Sequence, residues 1–247
     1  MTGLQRVMND TIQTIPLINL SIAFVPVLVT LIILFKWSLN ASNALYAISR
    51  MLVQLLLIGY FLTYLFESDS ATIVIIILAV MVFASSWIAL GTVADKRMQL
   101  YKHAFMALTI GGGITLLLIS QGVLALDPWY STPSMIPIAG MIFANAMNSV
   151  SLAAERLNAE INRNVPYDEA RTIAFQSSLI PVINSLFAVG LVSLPGMMTG
   201  QILSGVSPLI AVRYQIMVMC MIFGSAGIAT AYFLVLVKPV FQKDSAL

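Results

Sequence analysis

Long apolar runs with almost no charge recur along the whole chain and constrain its fold more than any other feature. A helix that crosses a bilayer needs about 20 mainly apolar residues. The runs continue without alternating polar positions, so they predict helices rather than barrel strands. The sequence therefore predicts an all-α, polytopic transmembrane helical bundle with seven spans: Leu17–Phe35, Ala44–Phe66, Ala71–Leu90, Ala104–Leu126, Pro133–Leu152, Leu179–Leu203 and Leu209–Val237.

Composition excludes the main soluble classes of protein. Hydrophobic residues make up 60% of the 247 residues and charged residues only 9%, whereas a soluble domain carries about 25% charge. We therefore expect neither an ordinary cytosolic enzyme nor a nucleic-acid binder. Cys220 is the single cysteine and His103 the single histidine, so a disulfide scaffold, a zinc-type cluster and a Ser/His/Asp set are not expected. No phosphate-binding Gly-x4-Gly-Lys-Ser/Thr loop occurs, so no catalytic residue and no bound cofactor are predicted.

The distribution of Lys and Arg predicts the orientation in the membrane. Basic residues concentrate in cytoplasmic segments of membrane proteins. Arg6 and Arg213 are expected on one side and the other ten on the opposite side: Lys36, Arg50, Lys96, Arg97, Lys102, Arg156, Arg163, Arg171, Lys238 and Lys243. The N-terminus is therefore predicted outside and the C-terminus in the cytoplasm. Residues 1–16 have apolar residues at helical spacing, which indicates either a short amphipathic helix on the membrane or a frayed tail.

One long polar connection, Ala153–Gln176, is predicted to enter the cytoplasm between spans five and six. Its first part continues the preceding helix, Val165-Pro166 interrupts it, and a second helix begins near Tyr167. The connection offers a soluble partner more surface than any other, although a plain solvated loop is the alternative. Its charged residues are Glu155, Arg156, Glu160, Arg163, Asp168, Glu169 and Arg171, of which Asp168 and Glu169 suit a helix N-terminus.

Amides within the spans are candidates for a translocation route. Polar groups are costly in lipid and usually face a bundle interior or a water path. Interhelical hydrogen bonding is the alternative role. Arg50 precedes Gln54 by one helical turn and lies near a predicted membrane surface. The favoured interpretation is that its side chain snorkels, so that its charge reaches the lipid headgroups. The predicted route residues are Gln54, Asn145, Asn148, Asn184 and Gln201. Further polar residues of the spans that could line the route are Ser149, Ser185, Arg213, Tyr214 and Gln215.

Three further patterns lie within the apolar runs. Pro195-Gly196 interrupts a span and predicts a hinge, or alternatively a simple kink. Gly111-Gly112-Gly113 favours close approach of two helices rather than phosphate binding. Methionines such as Met197 and Met198 could bind Cu(I), although flexible core filling is the favoured role. The metal ligands, if any, stay undetermined by the sequence.

The order of several segments resembles the FetB-type (YbbM) membrane protein family. The longest is the 30-residue segment VGLVSLPGMMTGQILSGVSPLIAVRYQIMV, Val189–Val218. The shorter segments are Pro137-Ile138-Ala139-Gly140-Met141 with Asn145-Ala146-Met147, Arg50 with Gln54 and Gly59-Tyr60, and Thr109-Ile110-Gly111 with Gly113-Ile114-Thr115. The resemblance therefore runs from the second span to the last.

The resemblance implies a permease subunit of an ABC transporter in a bacterial inner membrane. Such a permease works with a separate cytoplasmic ATPase that binds the ATP, and a homodimer is expected. Residues 1–247 would form one permease domain, with 153–176 as the coupling segment. Bacterial members are linked to iron export and plant relatives to aluminium tolerance, so metal export, iron favoured, is the leading expectation.

Three other functions remain open, and one local departure from the family is visible. The alternatives are an ATPase-independent secondary transporter or channel, a membrane sensor or scaffold that transports nothing, and export of a small organic or sugar-linked compound. The resemblance also implies a glycine in the coupling connection. This chain has Asn164-Val165-Pro166 there instead, so the backbone conformation of that turn is a specific point to test.

Overall fold

The computed structural model of the chain describes residues 15–66 and 70–244. The chain divides into two compact units after position 68. The amphipathic helix or frayed tail predicted over residues 1–16 lies almost entirely outside the described residues. The single permease domain over 1–247 stays a prediction.

The described part of the first unit contains three helices, α1 Leu17–Ile22, α2 Val25–Lys36 and α3 Ala41–Phe66. The side chain of Asn40 starts α3, because its Oδ1 accepts a hydrogen bond from the backbone N–H of Asn43 at 3.0 Å. The most apolar stretches of Leu17–Lys36 and Ala41–Phe66 have no buried residue within the unit. Such outward-facing apolar surface is typical of helices surrounded by lipid.

The second unit is a helical bundle built around one long helix, α9. Its described helices are α4 Ala71–Ala89, a 3-10 segment Gly91–Lys96, α5 Arg97–Leu117, a π segment Leu118–Val123, α6 Thr132–Asn162, α7 Tyr167–Ala188, α8 Gly196–Leu203, α9 Pro208–Leu236 and α10 Lys238–Asp244. Helix α9 packs against α5, α6, α7 and α8. Among the described residues there is no β-strand, only an isolated bridge between Val189 and Ser193. The predicted all-α polytopic bundle is confirmed.

Six described helices are long and apolar enough to cross a membrane, and each matches a predicted span. They are Leu17–Lys36, Ala41–Phe66, Ala71–Ala89, Gly91–Val123, Thr132–Asn162 and Pro208–Leu236. The predicted span Leu179–Leu203 is not one helix, because α7 ends at Ala188 and α8 begins only at Gly196. The orientation stays a prediction.

Two glycines close the contact between α5, α6 and α9. A Cβ atom on Gly111 would lie 2.6 Å from the backbone nitrogen of Ala229 in α9. On Gly112 it would lie 2.5 Å from the ring of Phe143 in α6, whereas a Cβ on Gly113 meets nothing within 4 Å. The helix approach predicted from this glycine run is therefore present at its first two positions.

Packing divides the second unit into two halves. The turn half surrounds the connection between α6 and α7, and its core includes Leu108, Leu157, Tyr167, Phe233 and Phe241. The break half surrounds residues 189–195, where Leu191 is 90% and Val192 85% exposed. The halves lie at opposite ends of α7, since Tyr167 begins that helix and Ala188 ends it.

Candidate functional site

A cavity of about 410 Å³ lies between α6, α7 and α9 in the break half; we call it the amide cavity. Its lining contains no ionisable side chain. The polar groups that line it are amides and hydroxyls: Asn145, Asn148, Ser149, Ser178, Ser185, Ser193 and Gln215. The cavity can therefore offer neutral oxygen and nitrogen groups to a ligand, but no compensating charge.

The amides of this cavity are placed by helical geometry. Asn145 Nδ2 donates a 2.8 Å hydrogen bond to the carbonyl oxygen of Met141, one turn earlier in α6. Asn148 lies three residues further and is exposed, so both side chains share one helix face. Gln215 of α9 is only 5% exposed, and its Oε1 finds no hydrogen-bond partner among the described residues. An unpaired buried amide oxygen costs about 1–3 kcal/mol, which a bound cation or donor would recover.

A second cavity of about 640 Å³, which we call the outer cavity, lies next to the first. Pro133 and Pro137 of α6, Gln201 of α8 and Tyr214 of α9 contribute to its lining. The Oε1 atom of Gln201 is buried and, within 15–66 and 70–244, has no hydrogen-bond partner. Met141 and Met197 line both cavities.

The structure brings three of the five predicted route residues to these cavities. Asn145 and Asn148 line the amide cavity, and Gln201 lines the outer one. Asn184 is exposed on α7 and is not among the residues that line either cavity. Gln54 is exposed on α3 of the first unit, and its place in a route stays a prediction.

Two further residues of the lining were not among the five predicted route residues, although Gln215 was one of the further polar candidates. Gln215 is the amide near the start of the apolar run in α9 and lines the amide cavity. Pro181 lies inside α7 and lines the same cavity. Its missing N–H leaves the carbonyl one turn earlier without the usual helical donor. An amide in an apolar run was the signal that made Gln215 a candidate, and a proline within a helix is the signal that could have found Pro181.

The predicted hinge residues lie at the end of the helix break rather than at its centre. Pro195 is the N-cap of α8 and Gly196 its first residue. The chain reverses earlier, at Gly190, whose φ of +82° favours glycine. There the N–H of Gly190 donates to the carbonyl of Ser193 at 2.9 Å. Both Pro195 and Gly196 line the amide cavity, so movement of the break would alter its shape.

The coupling segment has the predicted helix–break–helix structure. Helix α6 ends at Asn162 and α7 begins at Tyr167, with Asp168 and Glu169 in its first turn. The N–H of Val165 donates to the carbonyl of Glu160 at 3.1 Å, and that of Asn164 to Ile161 at 2.9 Å. These two bonds form a Schellman motif.

The conformation of the turn explains why this chain can have asparagine where the family resemblance implies glycine. Asn164 has a φ of +62°, in the left-handed region where glycine is favoured. Asparagine is the residue after glycine that adopts this conformation most readily. The asparagine therefore fills a conformational position that glycine would fill, and Pro166 can then start the next helix.

The charges of the coupling segment fall into a buried and an exposed set. Glu160 is 4% exposed and lies 2.6 Å from Arg156 and 3.7 Å from Arg163. It therefore stabilises the turn and does not present its charge to a partner. Arg171 and Lys238 both lie near Asp168 Oδ1, at 3.5 and 3.2 Å. The exposed members of the segment are Glu155, Arg163, Asp168 and Glu169.

The end of α9 and helix α10 fasten the turn from the other side. The Tyr167 hydroxyl donates a hydrogen bond to the carbonyl oxygen of Leu234. Burial raises the pKa of Tyr167 to about 12, an effect that nearby Arg171 opposes and Asp168 adds to. Lys238 Nζ lies 5.6 Å from the centre of the Tyr167 ring. The beginning of α7 is therefore attached to the last turn of α9.

The described residues hold no group of three His, Cys, Asp or Glu side chains that could bind a metal ion. Cys220 is exposed. A metal ion in either cavity would meet amides, hydroxyls and methionine sulfur. That donor set suits a transient site better than a tight structural site.

Comparison with known proteins identifies the family. The model of the family described as "Uncharacterised protein family (UPF0014)" matches residues 17–171 and 163–241. The chain is 35% identical over 216 residues to the UPF0014 membrane protein slr1647 of Synechocystis, covering 81% of this chain and 83% of that protein. It is 34% identical over 233 residues to the probable iron export permease protein FetB of Escherichia coli, covering 86% of each.

A plant protein is similar as well. The chain is 33% identical over 223 residues to the Protein ALUMINUM SENSITIVE 3 of Arabidopsis thaliana, covering 83% of this chain and 80% of that protein. No solved structure gives a significant match. The family match covers both described units and the apolar helices within them, so the chain is a multi-pass membrane protein that belongs to the UPF0014 family.

Proposed function

We propose that this chain is the membrane permease subunit of an ABC transporter that exports metal ions, with iron as the favoured substrate. The observation that carries the proposal is the similarity to a probable iron export permease over 86% of both chains. The cavities lined by polar groups in the break half support a route through the protein. ATP binding and hydrolysis are assigned to a separate cytoplasmic subunit, so this chain has no catalytic residue of its own.

The coupling segment, residues 153–176, is the proposed docking site for that ATPase. Glu155, Arg163, Asp168 and Glu169 supply its exposed charges. Glu160, Arg156 and Arg171 hold the turn in shape through ion pairs. Because the turn is fastened to α9 through Tyr167, a push on the turn would reach the helix that carries Gln215. A conformational change in the ATPase would in this way be transmitted to the amide cavity.

The route itself is proposed to pass the amides and the break. Asn145, Asn148 and Gln201 line the two cavities. Asn184 and Gln54 are exposed, and we propose that they complete the route in a homodimer that binds two ATPase subunits. Pro195 and Gly196 would serve as the hinge at the edge of the amide cavity.

Co-purification with charge reversals tests the docking proposal. The tagged chain in mild detergent should retain an ATP-hydrolysing subunit, and Glu155→Arg with Glu169→Arg should release it. Asp127→Arg is the matched control, since Asp127 is an exposed acid outside the coupling segment, and it should retain the ATPase. Absence of any ATPase from the wild-type complex, or equal retention by the reversed variant, would contradict the proposal.

Asn148→Leu tests the route. The change removes an exposed amide from the amide cavity and should lower transport while leaving insertion unchanged. Leu152, which lines the same cavity and is already apolar, provides the control as Leu152→Ile. Normal transport by the Asn148 variant would remove that residue from the route.

An ATPase-independent secondary transporter or channel is the second candidate. The observation that favours it is the helix break at Val189–Ser193 beside a cavity, because broken helices also form the binding sites of secondary transporters. Transport by the chain alone, driven by an ion gradient and unchanged by ATP, would favour this candidate over the ABC permease.

A further inference from the structure

The two cavities meet at a pair of methionines. Along α6 the outer cavity touches Pro133, Pro137 and then Met141, and the amide cavity touches Met141, Asn145 and Asn148. Met141 therefore lies on α6 at the boundary between the residues that line the outer cavity and those that line the amide cavity. Met197 of α8 also lines both cavities. Met141 and Met197 are therefore the two residues that the linings of both cavities share.

An unpaired amide oxygen lies on each side of this pair. Gln201 lines the outer cavity and Gln215 the amide cavity, and the Oε1 atom of each is buried without a hydrogen-bond partner in the described chain. Gln215 is more than nine-tenths buried. Carbonyl oxygens in this state attract a cation or a hydrogen-bond donor, because either one removes the penalty of their burial.

The chemistry of this lining selects the class of cation. Neither cavity contains a carboxylate, so the charge of the ion would be met only by neutral groups. The cost of transferring an ion from water to such a site rises steeply with its charge. Thioether sulfur is a soft ligand and prefers soft ions. Both effects disfavour a hard trivalent ion.

We propose that Met141 and Met197, with the amide side chains of Gln201 and Gln215, form a passage site for a soft or borderline metal cation of low charge, Cu⁺ or Fe²⁺ rather than Fe³⁺. The proposal rests on the proposed transport function and names the form of the metal that the route accepts. Met219 adds a third thioether to the amide cavity. Met221, by contrast, is 1% exposed and packs in the core, where it fills space.

Metal binding by the full-length protein in detergent tests this site without the ATPase. The probes are Fe²⁺ kept reduced with ascorbate, Ag⁺ as a redox-stable substitute for Cu⁺, and Fe³⁺ as its citrate complex, each measured by equilibrium dialysis under anaerobic conditions. We expect Fe²⁺ or Ag⁺ to bind and Fe³⁺ not to bind. Binding of Fe²⁺ alone assigns the ferrous ion, and binding of Ag⁺ alone the cuprous ion. Preference for Fe³⁺ would overturn the proposal.

The double variant Met141→Leu, Met197→Leu removes both sulfur atoms while nearly keeping side-chain volume. Its affinity for the bound ion should fall by at least about tenfold, since loss of supporting groups around a metal alone costs that much. The control variant Met98→Leu, Met221→Leu changes one exposed and one core methionine and should bind like the wild type. Equal affinity of the two double variants would overturn the passage site.

Transport assays separate failure of the site from failure of the proposed function. If Met141→Leu, Met197→Leu transports the ion at the wild-type rate with the ATPase present, the passage site is wrong and the transport function stands. If the wild type shows no ATP-driven transport but the variant loses metal binding, the site stands and the transport function is wrong.

Discussion

The two halves of the second unit differ in how their helix breaks are held. In the turn half, the break between α6 and α7 is tied by a Schellman motif, by ion pairs around Glu160 and Asp168, and by the hydroxyl of Tyr167. In the break half, residues 189–195 are held by local backbone bonds, and Leu191 and Val192 are exposed. The amide cavity lies beside the break at residues 189–195.

This difference fits the two roles proposed above, force transmission by the turn between α6 and α7 and a change of cavity shape at residues 189–195. Elements with many buried contacts open only with global unfolding, whereas elements with few contacts open locally at small free-energy cost. The turn between α6 and α7 is held by many contacts and can transmit a displacement to α9. The break at residues 189–195 is held by fewer contacts, and its movement can change the shape of the amide cavity. The following predictions test that contrast, from the largest expected effect on stability to the smallest.

Gly111→Ala should destabilise the turn half most. The new Cβ would meet backbone atoms of Ala229, the nearest at 2.6 Å, and backbone cannot move aside without separating α5 from α9. We expect a loss of about 3 kcal/mol in unfolding free energy, measured by thermal unfolding in detergent. Gly113→Ala, where the Cβ meets nothing within 4 Å, is the control and should be neutral or slightly stabilising.

Glu160→Ala should have the next largest effect. The change removes a buried carboxylate and leaves Arg156 and Arg163 without their partner. Breaking a buried ion pair costs about 3–5 kcal/mol, but both arginines are partly exposed, so we expect about 2 kcal/mol. Glu155→Ala, at an exposed acid of the same segment, should stay within about 0.5 kcal/mol of the wild type. Equal stability of the two variants would show that the turn is not held by Glu160.

Tyr167→Phe should cost about 1 kcal/mol, because the carbonyl of Leu234 loses its donor. The pH dependence is the sharper test. The folded pKa of Tyr167 is raised to about 12 from 10, so its contribution is complete below pH 10 and is lost as pH rises toward 12. The difference in stability between wild type and Tyr167→Phe should therefore shrink across that range. A difference that grows with pH would contradict the assignment.

Pro195→Ala should have the smallest effect on stability, within about 0.5 kcal/mol, because Pro195 is a partly exposed cap of α8 in the loosely held half. Its effect should appear in transport, as a reduced rate with normal insertion. Pro208→Ala changes another proline at a helix start, outside the linings of the two cavities, and should transport normally. Unchanged transport by Pro195→Ala would leave that residue only a structural role.

Local chemistry allowed the turn half to be predicted from the sequence. Val165-Pro166 and the acids after Tyr167 determine where one helix stops and the next begins, since these preferences act within one turn. The glycine run likewise predicted a close helix contact, which Gly111 and Gly112 make.

The break half could be predicted only in part. Mean hydropathy over Leu179–Leu203 resembles that of a continuous span, yet the left-handed Gly190 reverses the chain several residues before Pro195. Asn184 is an amide within a predicted span, as Asn148 is, but it does not line either of the two cavities. Gln215 lines the cavity because α9 packs beside α6 and α7. Which amides meet depends on tertiary packing, and a single sequence does not specify that packing.

ATP-dependent movement of iron across a reconstituted membrane tests the central claim most directly. Proteoliposomes containing this chain and its ATPase should move radioactive Fe²⁺ only when ATP is supplied, and the variant Glu155→Arg, Glu169→Arg should abolish that movement while both proteins remain in the membrane. Movement at the same rate without the ATPase, or normal movement by the reversed variant, would contradict a permease driven through residues 153–176.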